Sequence, residues 1–79
     1  MRFRVEISRA EGIADPEAKT VLGALRDLGF DEVTDVGFGR TIEVEVADGS
    51  PDPDERVHAM CERLLANPVI EDYRVTRLS

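Results

Sequence analysis

Several groups of residues in this chain are of types that can do chemistry. His58 and Cys61 stand three apart, close enough on a helix to share a metal ion or to act as base and nucleophile. Each is the only residue of its kind in the chain, so no more than two ligands, or a nucleophile and base without an orienting third group, can be assembled from them. Cys61 also falls on an apolar helical stripe, where a free thiol behaves as a small hydrophobe, and His58 reads as helix surface. Gly37-Phe38-Gly39-Arg40 has the opening of a phosphate-binding glycine loop. Such loops begin a helix and carry a third glycine, whereas this one precedes a strand, so the expectation is a hairpin turn that displays Phe38 beside Arg40. Glu71 and Asp72 are paired carboxylates, but neighbouring side chains on a strand leave by opposite faces and do not converge on one substrate. Asp48, Asp52, Asp54 and Glu55 are interrupted by Pro51 and Pro53 and lack the spacing of a calcium loop, which leaves a solvated turn and helix cap. None of these groups forms an assembled active site.

Elements with clear periodicity must position these residues. Phe3, Val5 and Ile7 alternate with Arg4, Glu6 and Ser8, the period of a strand with one buried face. Asp15-Pro16-Glu17 then reads as a helix start, with Asp15 as cap, proline in the first turn and an acid at the positive dipole end. Ala18, Val21, Leu22, Leu25 and Leu28 make its apolar stripe, and Gly29 stands where a left-handed residue would end it. Glu32 to Phe38 is expected as a strand although Val33 and Val36 break its alternation. Thr41 to Val46 alternates cleanly. Asp52-Pro53 is expected to cap a second helix whose stripe is Val57, Met60, Cys61, Leu64 and Leu65, and Asn67-Pro68 to end it. A last strand runs from about Ile70 to Leu78.

Strand, helix, strand, strand, helix, strand is a βαββαβ order. Short connections and right-handed crossovers convert it into a ferredoxin-like α+β domain, a four-stranded antiparallel sheet with both helices on one face. The helix-free face would set Arg2, Arg4 and Glu6 beside Glu43 and Glu45, where opposite charges can pair across strands.

Composition narrows the function classes. With 79 residues and a formal charge of -7, the chain is expected to be one domain spanning 1–79 that binds neither nucleic acid nor an anionic membrane, since both attract clustered Lys and Arg. One cysteine excludes an internal disulfide and suits a reducing compartment. No apolar run is long enough to span a bilayer, and the alternating start is unlike a signal peptide, so a cytoplasmic location is expected. A core this small leans on partner burial for stability, which together with open sheet edges predicts a homodimer or higher homo-oligomer.

The stretch Cys61-Glu62-Arg63-Leu64-Leu65-Ala66-Asn67-Pro68-Val69-Ile70-Glu71-Asp72-Tyr73 resembles the C-terminal signature of the PurS family. Asp15-Pro16-Glu17 leading into Leu25-Arg26-Asp27-Leu28-Gly29-Phe30 agrees with it, as does Val33-Thr34-Asp35-Val36 followed by Gly39-Arg40. Gly37 and Arg40 depart from the family pattern, which often has a basic residue at the first position and lysine at the second. The resemblance implies a non-catalytic subunit of formylglycinamide ribonucleotide amidotransferase, the purine-biosynthetic ligase. Such a subunit bridges a PurQ-type glutaminase and a PurL-type synthetase so that ammonia from glutamine is used in ATP-dependent amidine formation. It further implies no cofactor on this chain, with ATP and magnesium on the synthetase. The candidate partner interface is the exposed turn Phe38, Gly39 and Arg40 together with the connector Asn67, Pro68, Val69, Ile70, Glu71, Asp72 and Tyr73. Reversing the charge of Arg40 is expected to weaken assembly and spare the fold. A regulatory, small-molecule-binding domain of the ACT type shares the element order and is the alternative.

Overall fold

The computed structural model describes residues 1–79. Strand β1 covers Arg2–Arg9, helix α1 Pro16–Asp27, strand β2 Gly39–Glu45, helix α2 Pro53–Met60, continued by a π-turn over Cys61–Leu65, and strand β3 Glu71–Arg77. The three strands form one antiparallel sheet in the order β2-β1-β3. Central β1 shows the alternation its sequence demands: Phe3, Val5 and Ile7 are buried and the residues between them are exposed. These three pack with Val57, Cys61 and Ala66 into the core, with Ile42, Val46, Leu65, Tyr73 and Val75 half-buried around it.

The expected four-stranded sheet is corrected to three strands. Residues 32–38 form no strand. Their apolar residues Val33 and Val36 have a spacing that cannot keep one face of a pleated strand inward. The carbonyl of Val33 instead accepts from the Arg26 guanidinium of the preceding helix at 3.2 Å, which removes it from any ladder. With that strand absent there is no hairpin at Gly37-Phe38-Gly39, and Gly39 is already the first residue of β2. What remains is the ferredoxin-like order with one edge strand left out.

Gly39 is required there by close approach. It pairs with Ser8, and a Cβ at this position would lie 2.5 Å from the backbone oxygen of Ile7. No side chain, however small, fits without moving the central strand.

The caps of α1 form as the sequence requires. The Ala18 amide donates to the Asp15 carboxylate at 3.1 Å. At the other end Gly29 has φ of 97°, and the amides of Gly29 and Phe30 donate to the carbonyls of Arg26 and Leu25, both at 3.0 Å, the paired closure of a left-handed helix end. Helix α2 begins differently from expectation. Asp52 precedes it with φ of 46° and makes no side-chain cap bond, because the left-handed backbone turns its carboxylate away from the first amides.

At the end of α2 the helix unwinds and widens, with the Ala66 amide donating to the Cys61 carbonyl at 3.0 Å, a five-residue step. That π-turn corrects the expected stripe. Cys61 and Ala66 enter the core, whereas Leu64, which a regular helix would have turned inward, is 82% exposed. One extra residue per turn rotates everything beyond it around the helix axis.

Only α2 covers the sheet, so the expectation of both helices on one face is also revised. Of α1 only Ala18 is buried, and it lies outside the cluster that α2 forms with the sheet. Val21, Leu22 and Leu25 are half-buried and Leu28 is 74% exposed. The chain is correspondingly long, 52 × 25 × 13 Å with a radius of gyration of 16.3 Å, against about 12 Å for a compact chain of this length. Helix α1 and the segment after it form an arm.

Gly39→Ala is expected to lower stability by about 1–3 kcal/mol through the clash with the Ile7 carbonyl. Urea denaturation at fixed protein concentration measures it, and an unchanged midpoint would show that the strands separate freely at this point.

Candidate partner interface

The two expected interface segments are joined in the structure by one ion pair, between Arg40 and Glu71, which lie 31 residues apart in sequence. Ile7 of the central strand stands opposite both Arg40 on β2 and Tyr73 on β3. The side chains of Arg40 and Glu71 therefore share the helix-covered face of the sheet at its far end. The guanidinium of Arg40 crosses that end and grips the Glu71 carboxylate with two bonds, Nη1 to Oε2 at 2.6 Å and Nη2 to Oε1 at 3.0 Å. Its Nη2 also donates to the Leu65 carbonyl at 2.8 Å, the last residue of the π-turn.

The carboxylate is used as fully as the guanidinium. Oε1 of Glu71 accepts from the Asn67 amide at 2.8 Å, and the Glu71 amide donates back to the Asn67 carbonyl at 2.7 Å. The Asn67 side chain closes the turn further by accepting from the Val69 amide at 3.2 Å. Residues 67–71 are thus a tight turn bolted to β2. Hydrogen bonding to Arg40, then to the Asn67 amide, holds the Glu71 carboxyl at about 2, down from its ordinary 4.5. The same bond raises the pKa of Arg40.

This arrangement divides the ten candidates by role. Arg40, Asn67 and Glu71 are committed to one another, and Gly39 is held by backbone packing. Pro68 and Val69 project from the clamped turn, with Val69 81% exposed. Phe38 is exposed just before β2. Ile70 is half-buried, and its carbonyl accepts from the Ala10 amide at 2.8 Å. Asp72 leaves by the open face while Glu71 and Tyr73 turn toward the helix side, as strand alternation requires. Reversing Arg40 would set two carboxylates against each other and strip the Leu65 carbonyl of its donor. The change is therefore expected to disturb the turn at residues 67–71 as well as the surface.

The remaining chemical candidates stay apart. Cys61 is fully buried, and burial, then nearby Glu62, pushes its thiol pKa up, away from nucleophilic use. The His58 ring leans on Tyr73 with centroids 5.9 Å apart. No three His, Cys, Asp or Glu side chains converge as a metal-binding group. On the open face the predicted charge pairs form, with Arg2 3.0 Å from Glu43 and 3.6 Å from Glu45, and Arg4 3.8 Å from Glu43. Arg74 adds a pair to Glu6 across the other strand boundary, at 3.8 Å. No helix is long and apolar enough to cross a membrane.

The model of the PurS family, phosphoribosylformylglycinamidine (FGAM) synthase, matches residues 2–79 of this chain. The chain belongs to the PurS family. The PurS subunit of FGAM synthase from Bacillus subtilis is 41% identical over 73 residues, covering 92% of this chain and 87% of the relative. A crystal structure of B. subtilis PurS superposes with a TM-score of 0.87 at 40% identity, covering 95% of this chain and 94% of that one. A PurS-like chain in the structure of PurLQS from Thermotoga maritima superposes at 0.79 with 32% identity, over 98% of this chain and 95% of the other. PurS is thus a named subunit of a ligase, and the family match decides against the ACT-type alternative.

The clamp carries a pH signature. The Glu71 pKa is lower in the folded state than in the unfolded one, so its stabilisation is fully present above pH 4.5 and is lost as the pH falls from there toward about 2. Glu71→Gln is expected to be less stable than the parent protein at neutral pH, by a margin that narrows through that acid window. Thermal melts of both proteins across the pH series test this, and a constant difference would remove Glu71 ionisation from the stability of the turn.

Proposed function

We propose that this chain is the non-catalytic assembly subunit of the purine-biosynthetic FGAM synthase, bridging a PurQ-type glutaminase and a PurL-type synthetase. Ammonia released from glutamine on one is then used in ATP-dependent amidine formation on the other. The observation that carries the proposal is the match over nearly the whole chain to a protein solved within a PurLQS assembly. ATP and magnesium belong to the synthetase; this chain, a single PurS-like domain working in the cytoplasm, contributes shape and contacts.

A homodimer is part of the same proposal, supported by two apolar surfaces that the single chain leaves uncovered. One is the α1 stripe of Val21, Leu22, Leu25 and Leu28. The other is the side of β2 carrying Ile42, Val44 and Val46, which remain half-buried where a second helix would lie in a complete ferredoxin-like domain. Two copies exchanging arms would cover both, and the outer edge of β2 offers unpaired backbone groups beside them. Light scattering at micromolar concentration is expected to give at least twice the mass of one chain. A monomer across the concentration range would disprove the dimer.

Omitting this chain from a reconstituted mixture is expected to abolish most glutamine-dependent amidine formation while synthesis from a high concentration of ammonium salt persists. Ammonia supplied in bulk reaches the synthetase by diffusion, whereas the glutaminase depends on docking. Equal loss in both assays would mean that the chain completes the synthetase active site, and no loss in either would remove it from the reaction.

A further inference from the structure

Helix α1 is 12 residues long, at the lower edge of what holds together alone in water even when rich in alanine. Its interior carries Gly23 and the β-branched pair Thr20 and Val21, all weaker helix formers than alanine. The Asp15 cap and the Gly29 closure favour the helix, but most helices in proteins take their stability from the surface they pack on. Here the helix's own chain supplies almost none. Ala18 is the one residue of α1 that is buried. Every hydrogen bond made by residues 15–33 ends within 15–33, and no side chain among them joins an ion pair. The return path is equally unbraced, since no backbone amide of residues 34–38 donates a hydrogen bond within the chain.

The stripe of Val21, Leu22, Leu25 and Leu28 is a helix face without a sheet, and the side of β2 around Val44 is a sheet face without its second helix. Both belong to one chain, so a second copy offers each what it lacks and in equal number. We propose that the arm folds as it associates: in the single chain α1 is frayed, and it becomes the helix described above when its stripe lies on the β2 side of a second copy. The proposal rests on the homodimer and adds that dimerisation and helix formation are one equilibrium. The affinity between copies is then lowered by the small fraction of single chains whose arm is already helical. Any contact that uses the arm is closed to a single copy.

Gly23 isolates the helix-forming step. At 3.6 residues per turn it lies across the helix from the stripe, and a Cβ there would meet nothing within 4 Å. Gly23→Ala therefore raises helix propensity without adding a contact. It is expected to lower the dissociation constant of the homodimer by about fivefold for each arm, about 25-fold for the pair. Amide hydrogen exchange of the parent protein, followed by mass spectrometry through a dilution series, is expected to show α1 protected in the dimer and freely exchanging in the monomer. Strand β1 should stay protected in both. Val44→Glu reaches the monomer by another route, because Val44 is half-buried on β2, away from the arm in sequence and outside the residues packed on the core. It is expected to give monomers with an exchanging α1 and an intact β1. A monomer of either protein whose α1 is as protected as in the dimer overturns the proposal, whether its arm stands free or folds back onto its own sheet. So does an unchanged dissociation constant for Gly23→Ala, or a Val44→Glu protein that stays dimeric. In each of those cases the homodimer itself survives. A parent protein that is monomeric at every concentration overturns the homodimer and the coupling together.

Discussion

The packing of Phe3, Val5 and Ile7 against Val57, Cys61 and Ala66 is the interaction on which the remainder of the molecule depends. Central β1 supplies half of the buried cluster and pairs with both other strands, so each of its inward residues is enclosed by backbone on two sides and by α2 above. That is all the apolar material the body of the chain can enclose. With one helix over a three-stranded sheet, the side of β2 remains half-covered and α1 buries only Ala18. At about 1.5 kcal/mol of conformational entropy per ordered residue, a core of this extent leaves little margin. The apolar stripe of α1 and the side of β2 are left available for burial against another chain.

The Arg40–Glu71 clamp extends that core to the end of the sheet where α2 leaves and β3 enters. A bidentate arginine–carboxylate pair fixes direction as well as distance. Here it ties together the first turn of β2, the last carbonyl of the π-turn and the amide of Asn67. Without it, the turn at residues 67–71 would lose its tie to β2 and keep only its backbone bond to Ala10 at the end of β1. The residues that project from it, Pro68 and Val69, are consequently presented in a defined position although they pack on nothing. A partner surface that reads them would meet a preformed shape and incur little ordering cost on binding.

For a bridge between two enzymes, this distribution of order and exposure is physically coherent. Catalytic groups are costly to hold, since they need burial, shifted acidity and exact placement. The side chains here that could have served are placed otherwise: Cys61 is sealed in the core, His58 rests on Tyr73, and Glu71 is kept ionised by its arginine. Exposed apolar residues are instead spread over the arm, the clamped turn and the π-turn, which are three separate parts of an elongated chain.

What the sequence by itself determined was local. The alternation of β1, the Asp15 cap, the left-handed Gly29 and the stop at Asn67-Pro68 each depend on residues within a few positions of one another, and each is found as expected. The family was legible too, because it resides in an ordered run of residue types. Tertiary structure decided the rest. Residues 32–38 were expected to pair, but the Val33 carbonyl is taken by the Arg26 guanidinium of the preceding helix, and whether a segment pairs depends on contacts of that kind. The exposure of Leu64 depended on one backbone step at Cys61 that leaves no mark in apolar spacing. The role of Arg40 depended on a carboxylate 31 residues away, brought within reach only when β1 had aligned the strands on either side. Periodicity reports which face of an element is apolar; only the assembled fold determines whether anything is there to cover it.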